Sequence, residues 1–176
     1  LLLVFYGKGK GKSTAAYGTA VRALGRGWKV AIALFMKGWG SGEVIFFRRS
    51  KLPVKIFVLG TEEFVQPGTY DSDAASENMA RAYAFLTYVL PRTLRSFKPK
   101  LVVLDELGLA VHMGIVDEGV AVRALRRFSG SREIHAIVTG RYVPSTIKGI
   151  ADLVSEVREV KHYFRKGAVN IEGLDY

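Results

Sequence analysis

The 176-residue chain contains no cysteine. That excludes disulfides, thiolate metal sites and a cysteine nucleophile. No apolar run reaches the roughly 18 residues needed to cross a bilayer, so no membrane association is expected. The opening apolar run, residues 1–6, is too short for the core of a secretion signal, and no basic segment precedes it. No Met opens the chain, which predicts a further segment ahead of Leu1. A cytoplasmic protein is the default expectation. Internal repeats, low-complexity tracts and interdomain linkers are missing too, so one domain over residues 1–176 is expected. Acids are scarce beside bases: 16 Asp and Glu against 26 Lys and Arg give a net charge of +10. Such a surplus suits nucleic-acid phosphates or a site for a small polyanion. The bases are scattered (Arg48, Arg49, Arg92, Arg95, Arg123, Arg126, Arg127, Arg165, Lys166) and no basic tail gathers them, which disfavours nucleic acid.

What is present is an alternation of apolar runs and helical spacing. Residues 1–6, 29–35, 54–59, 101–104, 134–138 and 153–160 read as strands, the first several apolar enough to be buried on both faces. Residues 13–24, 43–50, 74–97, 116–128 and 144–151 read as helices. Gly25 and Gly27 stop the first. Pro91 is expected to kink or split the long third one, and Pro144 suits a helix start. Strands alternating with helices predict an α/β fold, with a mostly parallel sheet of about six strands flanked by helices. Ligands of such sheets sit beyond the carboxyl ends of the strands. Three segments fall there: residues 7–14, Asp105-Glu106 and Thr139-Gly140-Arg141.

The strongest local signal is Gly7-Lys8-Gly9-Lys10-Gly11-Lys12-Ser13-Thr14, between a strand and a helix. Glycines let the backbone curl so that successive N–H groups face phosphate oxygens. The helix start adds its positive end. Lys12 is placed to reach the phosphates, and the Ser13 hydroxyl to hold Mg²⁺. This is a P-loop, but a variant one, because Tyr6 stands where the general pattern has its first glycine. Asp105 and Glu106 close an apolar strand, where a carboxylate would help hold Mg²⁺. The other reading is a pair of acids favoured by a helix N-terminus. The residues alone leave open which carboxylate touches the metal, with Asp105 read as acting through water or Ser13. His112, His135 and His162 lack metal-ligand spacing and read as structural or surface residues. Trp39, in a glycine-rich loop, reads as a packed loop aromatic.

The loop, Ala15-Ala16-Tyr17-Gly18-Thr19-Ala20, Phe35-Met36-Lys37-Gly38, Gly42-Glu43, Asp73-Ala74-Ala75 and Val102-Val103-Leu104-Asp105-Glu106-Leu107 form an ordered series. Thr139-Gly140-Arg141, Ala151-Asp152-Leu153-Val154-Ser155-Glu156-Val157, Val160-Lys161-His162 and Gly173-Leu174-Asp175-Tyr176 complete it. The series resembles the P-loop ATP:corrinoid adenosyltransferases over nearly the whole chain. The resemblance implies a RecA-like P-loop NTPase fold. It implies transfer of the 5′-deoxyadenosyl group of ATP to Co(I) of a corrinoid, releasing triphosphate, in adenosylcobalamin biosynthesis or salvage. It implies Mg²⁺, a homodimer, a reductase partner, and a nucleotide lying reversed along the loop with C5′ exposed. It implies catalytic roles for Lys12 and for Glu106, the better candidate for direct metal contact, with Lys10 and Arg141 as candidates to add charge. Phe64 is the candidate for the corrin-facing side. Two positions depart from the family: Lys8 replaces the usual Asn, and the loop from Gly60 to Asp73 lacks a Phe-x-Trp pattern. The competing readings are a RecA-like ATPase or nucleic-acid-associated NTPase, a small-molecule kinase, and a non-catalytic nucleotide-binding subunit.

Overall fold

The computed structural model describes residues 1–36, 38, 41–61, 73–168 and 171–175. Six strands form one sheet: β1 (Leu2–Tyr6), β2 (Val30–Leu34), β3 (Val54–Val58), β4 (Leu101–Asp105), β5 (His135–Gly140) and β6 (Leu153–Glu156). Their order is β3-β2-β4-β5-β1-β6, and every pairing is parallel. The expected sheet is therefore present, and wholly rather than mostly parallel. β5 lies between β1 and β4, so its carboxyl end separates the end of β1 from the end of β4.

Side chains alternate across the strands into two cores. Ala16, Tyr17 and Ala20 of α1 (Lys12–Gly25) pack with Val44 and Phe47 of α2 (Gly42–Arg49) over Ile32, Leu34, Val103 and Ile137. The opposite face is covered by α3 (Asp73–Ala84), α4 (Leu90–Ser96), α5 (Leu107–His112), α6 (Glu118–Leu125) and α7 (Ser145–Gly149).

The chain differs from its sequence expectation at five places. The helix expected over 74–97 is one helical body, but a π-type turn at Phe85–Val89 widens it just before Pro91. Proline has no N–H for the preceding turn and its ring crowds the carbonyl there. Widening the turn, so that Leu90 N–H bonds to Phe85 O, relieves that conflict. The short helix α5 follows β4 directly, where the sequence pattern showed only a strand end. Helix α6 is shorter than the expected 116–128, starting on an Asp117 side chain that accepts from Val120 N–H. Strand β6 ends at Glu156, and Val160 is wholly exposed. A 3₁₀ turn, Tyr163–Lys166, then follows.

Asp152, one of the family-like residues, has a structural task. Its carboxylate accepts from Leu2 N at 2.7 Å and from Gly130 N at 3.0 Å. These backbone bonds hold its pKa below the ordinary carboxylate value. They tie the start of β6 to the start of β1.

Candidate active site

The phosphate loop leaves β1 at Tyr6 and enters α1 at Lys12. No side chain caps α1, and its first intrahelical bond runs from Ala15 N to Gly11 O at 2.8 Å. The N–H groups of Lys12, Ser13 and Thr14 lie ahead of that bond, at the positive end of the helix. A helix start without a side-chain cap suits an anion.

The loop's three glycines serve different purposes. A Cβ on Gly7 would come within 2.5 Å of Val157 O, and one on Gly9 within 2.7 Å of the Arg158 backbone. Gly9 N–H also donates to Val157 O at 2.8 Å. Gly7 and Gly9 are thus demanded by the chain leaving β6, which packs against the loop from outside. Gly11 is the opposite case. Its φ of +113° requires glycine, and nothing lies within 4 Å of the place a Cβ would occupy. The loop is therefore open beside Gly11. Tyr6, in place of the first standard glycine, packs against the core with the Lys148 ammonium 4.6 Å from its ring centroid.

Lys12 Nζ donates to Gly9 O at 2.7 Å, folded back over its own loop. Lys8 and Thr14 are exposed and Ser13 is half-buried. Lys10 pairs with Asp175 at 2.6 Å.

The ends of β4 and β5 meet in a buried polar cluster. Asp105 and Thr139 are both fully buried. The Thr139 hydroxyl donates to Asp105 Oδ1 at 2.6 Å, and Thr139 Oγ1 accepts from Glu106 N at 2.9 Å. Tyr17, reaching across from α1, donates its hydroxyl to Asp105 Oδ2 at 3.3 Å. Burial first, then the Asp105 charge, pushes the Tyr17 phenol far above its ordinary pKa, so it remains a donor. Glu106 itself takes a left-handed conformation, φ 62°, which costs a non-glycine residue about 1–2 kcal/mol. The Thr139 bond and the packing of α5 hold it there. Two glycines permit that packing: a Cβ on Gly140 would sit 2.6 Å from Leu109 N, and one on Gly108 2.3 Å from Val143 Cγ2. Met36, at the end of neighbouring β2, is also left-handed, φ 57°. Such conformations gather where a site over-determines its backbone.

The three expected segments thus lie together at one end of the sheet. Arg141 stands exposed past β5, and its charge is among those lowering the pKa of Glu159, after the hydrogen bond from Arg165. Phe64, Tyr70 and Trp39 lie outside the described residues. The histidines stand in ring contacts: His112 with Tyr142 at 4.6 Å, His135 with Trp28 at 5.4 Å and His162 with Tyr163 at 4.6 Å. Sequence reasoning missed Tyr17 and the bridging role of Thr139. A lone phenol on the otherwise alanine-lined buried face of α1 was the available signal for Tyr17.

Oxygen donors stand at this end of the sheet: the Ser13 hydroxyl at the start of α1, and the Asp105 and Glu106 carboxylates at and after the end of β4. That set suits Mg²⁺, which is usually held by one or two carboxylates while phosphates and water fill the remaining positions. Among the described residues no group of three or more His, Cys, Asp or Glu could hold a metal by itself. The arrangement suits a cation that arrives with a phosphate ligand.

The family model described as "ATP:corrinoid adenosyltransferase BtuR/CobO/CobP" matches residues 1–176. A Pseudomonas aeruginosa protein named corrinoid adenosyltransferase is 36% identical over 177 residues, covering 100% of this chain and 83% of the relative. The protein of that name from Escherichia coli K12 is 34% identical, covering 100% of this chain and 85% of the relative. Corrinoid adenosyltransferase CobA of Salmonella typhimurium is 33% identical over the same shares of the two chains. With a match that runs from the phosphate loop to the last residue, the chain belongs to the ATP:corrinoid adenosyltransferase family.

Proposed function

We propose that this protein transfers the 5′-deoxyadenosyl group of ATP to Co(I) of a corrinoid and releases triphosphate. One observation carries the reading beyond family membership. The start of α1, with no side-chain cap, lies at the same end of the sheet as the buried Asp105–Thr139–Tyr17 cluster. That shared end of the sheet supports reading the loop as a polyanion grip and the carboxylates as oxygen donors near it.

The chemistry asks little else of the protein. Co(I) supplies the electron pair that attacks C5′. The C5′–O bond breaks, its electrons leave with the triphosphate, and the cobalt–carbon bond forms. No side-chain nucleophile is needed, and a polyanionic leaving group needs no general acid. The protein's part is to align C5′ with cobalt and to neutralise the departing charge. The N–H groups of residues 12–14, Lys12 and Lys10 supply that neutralisation, with Arg141 as a further cation. Ser13 and Glu106 would hold Mg²⁺, which would supply further positive charge against the phosphates, while Asp105 keeps Thr139 and Glu106 in place. A reversed nucleotide, with C5′ outward, fits the same assignment. We place Phe64 on the corrin side, the working form as a homodimer in the cytoplasm with a reductase delivering Co(I), and residues 1–176 as one domain. Neither the RecA-like ATPase reading nor a nucleic-acid role draws support from the family match.

Products decide the assignment. ATP, Mg²⁺ and chemically reduced corrinoid should yield inorganic triphosphate and the spectrum of an alkylated cobalt. Release of ADP with an unchanged corrinoid spectrum would sink the proposal. The metal assignment has its own test. Glu106→Gln should raise the Mg²⁺ concentration for half-maximal MgATP binding by about tenfold, since one charged ligand contact is worth about 1.5–3 kcal/mol. A binding curve superimposable on the wild type would remove Glu106 from the metal's surroundings.

A further inference from the structure

Lys10 sits exposed between two glycines of the phosphate loop, a place where a lysine side chain would ordinarily sweep freely. It does not stand alone here. Its ammonium lies 2.6 Å from Asp175 Oδ1. Asp175 is itself fixed: Ile171 N–H donates to Oδ2 at 2.9 Å, and the Tyr163 hydroxyl donates to Oδ1. The bonds from Leu174 N and Asp175 N to Ile171 O, at 3.0 and 2.8 Å, close residues 171–175 into a turn. Gly173, at φ 79°, permits that turn. The hydrogen bond from Lys10 is the largest of the causes holding the Asp175 carboxyl far below its usual range.

The C-terminal segment therefore grips the loop twice. Its backbone at Val157 and Arg158 fills the space beside Gly7 and Gly9. Its turn holds the ammonium of Lys10. Both contacts act on residues 7–10, while nothing lies within 4 Å of the place a Cβ on Gly11 would occupy. Anchoring that first half of the loop is what gives Asp175 a functional meaning.

We infer that Asp175, with Tyr163, is a positioning residue: it holds the Lys10 ammonium beside the phosphate site, so that the triphosphate meets a cation already in place. The inference rests on the reading that residues 7–14 bind the triphosphate of ATP. A preorganised cation costs less ordering on binding than a free lysine. The opposite role, in which Asp175 competes with the triphosphate for Lys10, predicts the reverse sign.

MgATP binding by the full chain, measured by calorimetry beside steady-state KM and kcat, separates the cases. Asp175→Asn should weaken binding about fivefold, the upper range of an exposed ion pair, and raise KM rather than lower kcat. Asp175→Glu should recover part of the loss, and Tyr163→Phe should show a smaller loss of the same kind. In a Lys10→Ala background, Asp175→Asn should have no further effect. Unchanged binding in Asp175→Asn overturns the inference, and tighter binding replaces it with competition. An equal loss in the Lys10→Ala background also overturns it, because Asp175 would then act on the fold and not through Lys10. A wild-type chain that binds no MgATP defeats the triphosphate reading, and this inference falls with it.

Discussion

Lys12→Ala should lower kcat/KM for adenosyl transfer by about 10²–10³ while leaving the fold intact. The rate estimate is that of removing one preorganised group facing the charge that develops on a leaving group. The fold should survive because Lys12 is half-exposed and its ammonium bonds to a carbonyl of its own loop, Gly9 O. In the structure that ammonium is turned onto its own loop, 2.7 Å from a neutral carbonyl oxygen. A triphosphate is a far stronger partner than a carbonyl, so a small side-chain rotation exchanges one for the other. Lys12→Arg should not restore activity, because a planar guanidinium cannot replace a compact ammonium inside a curled loop. Steady-state kinetics with reduced corrinoid, beside circular dichroism of the variant, checks both halves. Turnover near the wild type would take Lys12 out of the phosphate site.

Much of this site was legible before any coordinates. The glycine-lysine loop between a strand and a helix can do little other than face phosphate. Asp105-Glu106 at the end of an apolar strand had to emerge at the same end of a parallel sheet. What the residues could not announce was set by contacts between distant segments. Gly7 and Gly9 look like ligand-facing glycines, yet the backbone at Val157–Arg158 requires them. That requirement depends on β6 lying beside β1, which no local pattern encodes. Glu106 gave no hint of its left-handed backbone, because the restraint comes from Thr139, 33 residues away. The π-type turn before Pro91 was half readable: proline demanded some relief, but its form depended on how α3 and α4 pack on the sheet. Lys10 was read as a spare phosphate charge, and its partner lay at the far end of the chain.

The Asp105 cluster should be as important to stability as Lys12 is to rate. Asp105→Ala removes the acceptor of two buried hydroxyls, Thr139 and Tyr17. Neither side chain finds water there, since Thr139 is fully buried and Tyr17 nearly so. An orphaned buried donor costs about 1–3 kcal/mol, so the pair should cost about 3 kcal/mol and lower Tm by roughly 10 °C for a chain of this size. Thr139→Val alone should cost less, about 1–2 kcal/mol, because Asp105 retains Tyr17. The double variant Asp105→Ala/Thr139→Val should fall well short of the sum, since the second change removes one of the hydroxyls that the first left stranded. Activity should fall in all three variants. Thr139 Oγ1 also accepts from Glu106 N, and without it Glu106 loses a bond that holds it in its left-handed backbone. Thermal unfolding of the four proteins measures the cycle directly. Additive losses would mean that Asp105 and Thr139 stabilise the chain independently, and the view of the cluster as one unit that aims Glu106 would have to be abandoned.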